Sequence, residues 1–192
     1  MPVSPLFAAL ARRRSVPARL LTTPAPTGAE RDALLAFALR VPDHGRLQPW
    51  RLITIEGAAL ATFATRLAQC LAEREPGAAP ARLDKERARY AHGALVIAVV
   101  ARIDAGHARI PAQEQLLSAG CVAYSLLLGA EVLGYGAQWL TGWAAYDPAI
   151  AALLGLGTGE NLIGLVHIGS VGDEPTPVPR ADPAAHVSAW TA

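Results

Sequence analysis

Lysine is almost missing from this chain: Lys85 is the only one among 17 basic residues, and the rest are arginine. GC-rich coding explains such a bias as readily as a binding need, so it carries no functional weight. Cysteine is scarce too. Cys70 and Cys121 are far apart and match neither a zinc-ligand spacing nor a C-x-x-C redox pair, so they are expected to be two buried thiols in a reducing compartment. Neither charge sign dominates. Seventeen basic against 16 acidic residues leave a formal charge of +1, with no basic stripe to neutralise successive phosphates, which argues against nucleic acid as a partner.

Long apolar runs are also lacking. The longest uncharged stretch, Gln115 to Ala130, falls short of the roughly 20 residues that cross a bilayer, contains polar residues, and reads as a buried helix rather than a membrane segment. At the N-terminus Arg12–Arg14 follow a short apolar run, the reverse of a signal peptide, so a cytoplasmic location is expected. No Walker loop, H-E-x-x-H or G-x-S-x-G occurs, and His44, His92, His107, His167 and His186 never pair at metal-ligand spacing. No metal site and no side-chain catalytic constellation is therefore expected. Gly155-Leu156-Gly157-Thr158-Gly159 follows a predicted helix and lacks dinucleotide-loop spacing, so it reads as a glycine-rich turn.

What is present is hydrophobic substance: 52% apolar residues in 192, enough for one domain spanning 1–192 or one subunit of an intertwined oligomer. Ser4 before Pro5 signals a first helix that ends in Arg12-Arg13-Arg14. Thr27 and Glu30 have capping-box spacing, and helix 2 must stop near Arg40, before Pro42. Further helices are expected over 58–73, 82–89 and 114–133, with a short one after Asp147-Pro148. Strands are expected over 51–56, 94–101, 137–140 and 162–168. The valine-rich run 94–101 suits a strand covered on both faces. The helix 114–133 is apolar nearly all round, which one small domain cannot bury, and so suggests a dimer interface. The proline-dotted tail, 175–183, is expected to clasp a partner subunit. The class is α+β or α/β with four or five strands.

Two places combine charge with a shaped backbone. Arg13-Arg14-Ser15 offers two guanidiniums and a hydroxyl to a phosphate, although arginines there also complement a helix dipole. Arg40-Val41-Pro42-Asp43-His44, followed by Gln48-Pro49-Trp50, is a polar loop stiffened by two prolines, which also reads as an ordinary connection.

Taken in order, Arg13-Arg14-Ser15, Pro26-Thr27-Gly28, Pro42-Asp43-His44 with Gln48-Pro49-Trp50, Ser118-Ala119-Gly120-Cys121 and Gly134-Tyr135-Gly136-Ala137-Gln138-Trp139 resemble the FMN-dependent NAD(P)H nitroreductase family, in its small YdjA-like branch. The resemblance implies an α+β fold, a central mixed sheet flanked by helices in an intertwined homodimer, with FMN bound by both chains at the interface. By position, Arg13, Arg14 and Ser15 match the segment holding the FMN phosphate and ribityl chain. Arg40 and His44 match flavin contacts from the partner subunit, and Trp139, Leu140 and Thr141 match a segment along the isoalloxazine ring. Gly129, Ala130, Glu131, Val132, Leu133 and Gly134 match the stretch suggested to meet the nicotinamide nucleotide. Leu140 stands where this branch commonly has arginine, and Arg19 is the counterpart of a further family arginine.

The implied activity is hydride transfer from NADH or NADPH through FMN to a nitroaromatic, quinone or similar small-molecule acceptor, with ping-pong kinetics. Chemistry then belongs to the cofactor, and the protein supplies binding and electrostatics. Arg40, or in its place Arg19, is the expected partner for negative charge on reduced flavin, His44 a binding group, and Trp139 a pocket wall. The alternatives are other flavin chemistry on the same fold, a non-catalytic flavin-binding dimer, or a scaffold that has lost flavin.

Overall fold

The computed structural model describes residues 4–173 and 175–191. The valine-rich run becomes β3 (Leu95–Arg102), buried from Leu95 to Ala101. Its alternate side chains enter two different cores. Val96, Ala98 and Val100 face one; Leu95, Ile97 and Val99 face the other. On one edge β3 pairs with β2 (Trp50–Glu56), and on the other with β5 (Glu160–Val171). The far edge of β5 carries β4 (Gly136–Leu140), and the two-residue β1 (Leu21–Thr22) pairs with Ser170 and Val171 at the end of β5, where the Leu21 carbonyl accepts from the Gly93 amide just ahead of β3.

Every pairing among the described residues is antiparallel, which corrects the expected mixed sheet. The crossover from β3 to β4 does return the chain in the same direction, but β5 inserts between the two strands, so no parallel ladder forms. Between β3 and β5 the register slips: Val99 faces Gly164 while Val100 faces Leu162, and Ile163 is the extra residue of a bulge.

Helices cover both faces. α3 (Ala58–Arg74), α4 (Pro80–Ala91) and α6 (Pro148–Leu153) close one core, while α2 (Gly28–Ala38) and α5 (Ala112–Val132) close the other. α1 (Pro5–Arg12), capped by the Ser4 hydroxyl, lies against α5. The Thr27–Glu30 capping box is not formed: the Thr27 side chain makes no cap bond, and the Glu30 carboxylate instead accepts from the Tyr135 hydroxyl. Cys70 and Cys121 are free and half-buried rather than buried. Within the first core the Tyr90 hydroxyl and His167 Nε2, both shut off from solvent, have no hydrogen-bond partner among the described residues.

By length and composition α5 is apolar enough to cross a membrane, but here it is built into the domain. Val122, Ala123 and Leu126 are fully buried against the sheet, whereas Leu117, Tyr124 and Val132, spaced two turns apart along the opposite side, stay about half exposed or more. One chain thus covers one side of this helix and leaves a second apolar stripe open.

Candidate functional site

Beyond α1 the chain turns extended and runs beside β4: the Val16 amide donates to the Ala137 carbonyl at 2.9 Å, and the Ala18 amide to Gln138 Oε1 at 2.6 Å. This pairing carries Arg14 to the edge of a cleft of about 530 Å³, lined also by Arg12, Arg180, Glu131, Gly134 and Tyr135. Among the described residues three guanidiniums and one carboxylate line it, and guanidiniums suit a phosphate ester, since each offers paired donors in a fixed fork. Arg180 was not foreseen. Its only signal was an arginine within the proline-dotted tail, and it reaches back to donate from Nη2 to the Arg13 carbonyl at 2.8 Å. That part of the tail therefore packs on its own chain, while Val178, Val187 and Trp190 stay exposed. Arg13 itself leaves the cleft and lies over the Tyr124 ring of α5, and Ser15 is exposed. Arg19 is exposed as well.

On β4 the expected ring-contacting residues diverge, because alternate strand residues face opposite sides. Trp139 is half-buried, and its indole N–H donates to the Ile163 carbonyl at 3.1 Å, an acceptor at the bulge. Gly164 lies directly beneath, where any Cβ would run into the indole. Leu140 points the other way into the core beside Val100 and Leu165, so its side chain is a packing group, and only its backbone is left for a ligand. Thr141 is half-buried at the strand's end.

The stretch expected to meet the nicotinamide nucleotide divides as well. Gly129 and Ala130 are buried, and a Cβ at Gly129 would strike Leu34, so these two serve the packing of α5 on α2. Val132 is exposed, Leu133 caps the helix, and Glu131 and Gly134 line the arginine cleft.

The second polar loop lies elsewhere. Arg40 is exposed just past α2. From there the Pro42 carbonyl accepts from the Ser118 hydroxyl at 2.6 Å, and His44 Nδ1 meets Glu114 Oε2 at 2.7 Å, both on the first half of α5. Gly45, Arg46 and Gln48 all have positive φ, two of them without glycine's freedom, and the Gln48 amide is held by Asp43 Oδ2 at 2.9 Å. Arg14 and Glu131 mark the other end of the helix. At a rise of about 1.5 Å per residue, Glu114 and Glu131 stand roughly 25 Å apart. A single chain does not bring the two halves of the expected flavin site together.

The model of the nitroreductase family matches residues 10–170. The chain belongs to the nitroreductase family. It is thereby an oxidoreductase. A Haemophilus influenzae relative named "Putative NAD(P)H nitroreductase" is 35% identical over 150 residues, 78% of this chain and 80% of that protein. "Putative NAD(P)H nitroreductase YdjA" of Escherichia coli K12 is 32% identical over 161 residues, 84% and 85% of the two chains. In fold, this nitroreductase-family chain is similar to the nitroreductase-like family protein from Bacillus cereus (TM-score 0.84, 22% identity, 99% of this chain and 98% of that one). It is also similar to the FMN and NADPH-dependent nitroreductase NfnB of a Sphigopyxis strain (TM-score 0.78, 22% identity, 99% and 100%).

Proposed function

We propose that this protein is an NAD(P)H-dependent, FMN-containing oxidoreductase that acts as a homodimer and passes electrons to nitroaromatic, quinone or similar small acceptors in ping-pong fashion. The observation that carries the reading is the separation of the two half-sites along α5, together with the apolar stripe of Leu117, Tyr124 and Val132 that the chain leaves uncovered. A two-fold pairing of two α5 helices, antiparallel through that stripe, sets the Arg40–His44 loop of one copy beside the arginine cleft of the other.

The residues fit FMN. Arg14 and Arg180, with Arg12 beside them, form a phosphate-binding cleft at one end, and Trp139 offers an aromatic wall fixed by its bond to Ile163. The chemistry that FMN supplies when bound is two-electron transfer, taking hydride from NAD(P)H and handing it to the acceptor. The chain's own part is to bind, to orient and to balance charge. Arg40 of the second copy would bring a guanidinium to the flavin, where its positive charge would favour a bound group that carries negative charge. His44 adds a hydrogen-bonding edge. A cytoplasmic setting, where Cys70 and Cys121 remain reduced, belongs to the same reading.

The test is the visible spectrum of the purified protein, the identity of the chromophore released on denaturation, and the mass in solution. A yellow dimer that releases FMN and oxidises NADH or NADPH supports the proposal. A colourless protein that takes up no added FMN overturns it, and one that binds FMN without oxidising either nucleotide confines it to flavin binding.

A further inference from the structure

The loop carrying His44 is held more tightly than a surface connection needs. Glu114 and Ser118 are four residues apart, one turn of α5, and so stack on one face of the helix. From that face Ser118 fixes the Pro42 carbonyl and Glu114 fixes the His44 ring, while Asp43 closes the loop on the Gln48 amide. These three bonds hold a segment in which Arg46 (φ 56°) and Gln48 (φ 51°) take left-handed conformations that cost side-chain-bearing residues energy. Strain of this kind persists only where its surroundings impose it.

A carboxylate only accepts hydrogen bonds, so the imidazole must carry its proton on the nitrogen that faces Glu114, namely Nδ1. That leaves Nε2 on the far side of a ring whose side chain is 58% exposed. We propose that Glu114 is a positioning residue: it fixes the tautomer and direction of His44, so that Nε2 is presented to the flavin bound by the second copy. This rests on the flavin reading above. Glu114 touches neither cofactor nor substrate and acts only through His44.

The experiment is a double-variant cycle on the full-length dimer, stripped of flavin and titrated with FMN by fluorescence, with kcat and KM for NADH measured on the reloaded protein. His44→Ala and Glu114→Ala are each expected to weaken FMN uptake roughly tenfold, and the double variant roughly tenfold rather than a hundredfold, because both remove one interaction. Glu114→Gln, whose amide oxygen still accepts from Nδ1–H, should stay within about threefold of the parent. Both side chains are about half exposed, and thermal unfolding confirms that each variant is folded. If His44→Ala weakens FMN uptake and Glu114→Ala does not, the positioning role is wrong while the flavin reading stands. Additive losses, or a Gln variant as damaged as the Ala variant, also overturn it. If His44→Ala itself leaves FMN affinity and turnover unchanged, the flavin contact fails and takes this inference with it.

Discussion

Protonation of His167 should destabilise this protein under mild acid by an amount that follows from its burial. The ring sits on β5 with no exposed surface; it donates from Nδ1 to the His92 carbonyl at 2.9 Å and leaves Nε2 without a partner. Burial is the main cause pushing its pKa down from 6.5 to about 4, with His92 and Arg89 nearby adding positive charge. Between those two values the unfolded chain holds a proton that the folded chain refuses, so stability must rise with pH across this window and fall as acid is added. A shift of this size amounts to about 3 kcal/mol once both states are protonated, of which about 2 kcal/mol is lost between pH 7 and pH 5. Tyr90, whose ring centre lies 6.0 Å from that of His167, stays neutral throughout the window, and burial carries its pKa further away, up to about 12. The assay is urea unfolding followed by tryptophan fluorescence at pH 7 and pH 5, at fixed protein concentration, for the parent, His167→Asn and His167→Phe. Both variants start less stable, but each should lose about 2 kcal/mol less than the parent on acidification. Equal losses in parent and variants would show that the buried imidazole does not set the acid limit.

Three other outcomes follow from the packing. Arg180→Ala should weaken FMN affinity roughly tenfold, the scale of one charge-assisted contact, with little change in thermal midpoint, as read by FMN titration and calorimetry. Leu117→Glu, which puts charge on the open stripe of α5, should shift the dimer toward monomer in sedimentation and cost FMN binding with it; a monomer that still held FMN would refute the two-chain site. Gly164→Ala should lower stability by about 2–4 kcal/mol, because its Cβ collides with the Trp139 indole and the Leu140 carbonyl, and should loosen the aromatic wall detectably in Trp139 fluorescence.

The elements were legible where one physical signal was strong and local. The valine run at 94–101 reads as a strand covered on both faces and becomes β3, and Ser4-Pro5 and Asp147-Pro148 begin helices as capping demands. What escaped was set at long range. The Thr27–Glu30 spacing was correct for a capping box, yet Tyr135, 105 residues later, claims the Glu30 carboxylate. The all-antiparallel sheet depends on β5 entering between β3 and β4, and no local pattern carries strand order.

The candidate site shows the same division more sharply. Arg14 can be named as a candidate from sequence because its charge and its place after a helix are local facts. Arg180, 166 positions downstream, is recruited to the same cleft only by the path of the tail across Arg13. Leu140 reads as a lost polar contact in a linear comparison, but the two-residue period of β4 turns it into the core while Trp139 faces the other way. A departure from a family pattern at such a position concerns packing first. The apolar pattern of helix 114–133 by itself suggests an interface, and the uncovered stripe along α5 supports that reading. In the proposed dimer the helix is apolar on two sides because two neighbours would cover it: the sheet of its own chain, and the helix that would complete the site from the other.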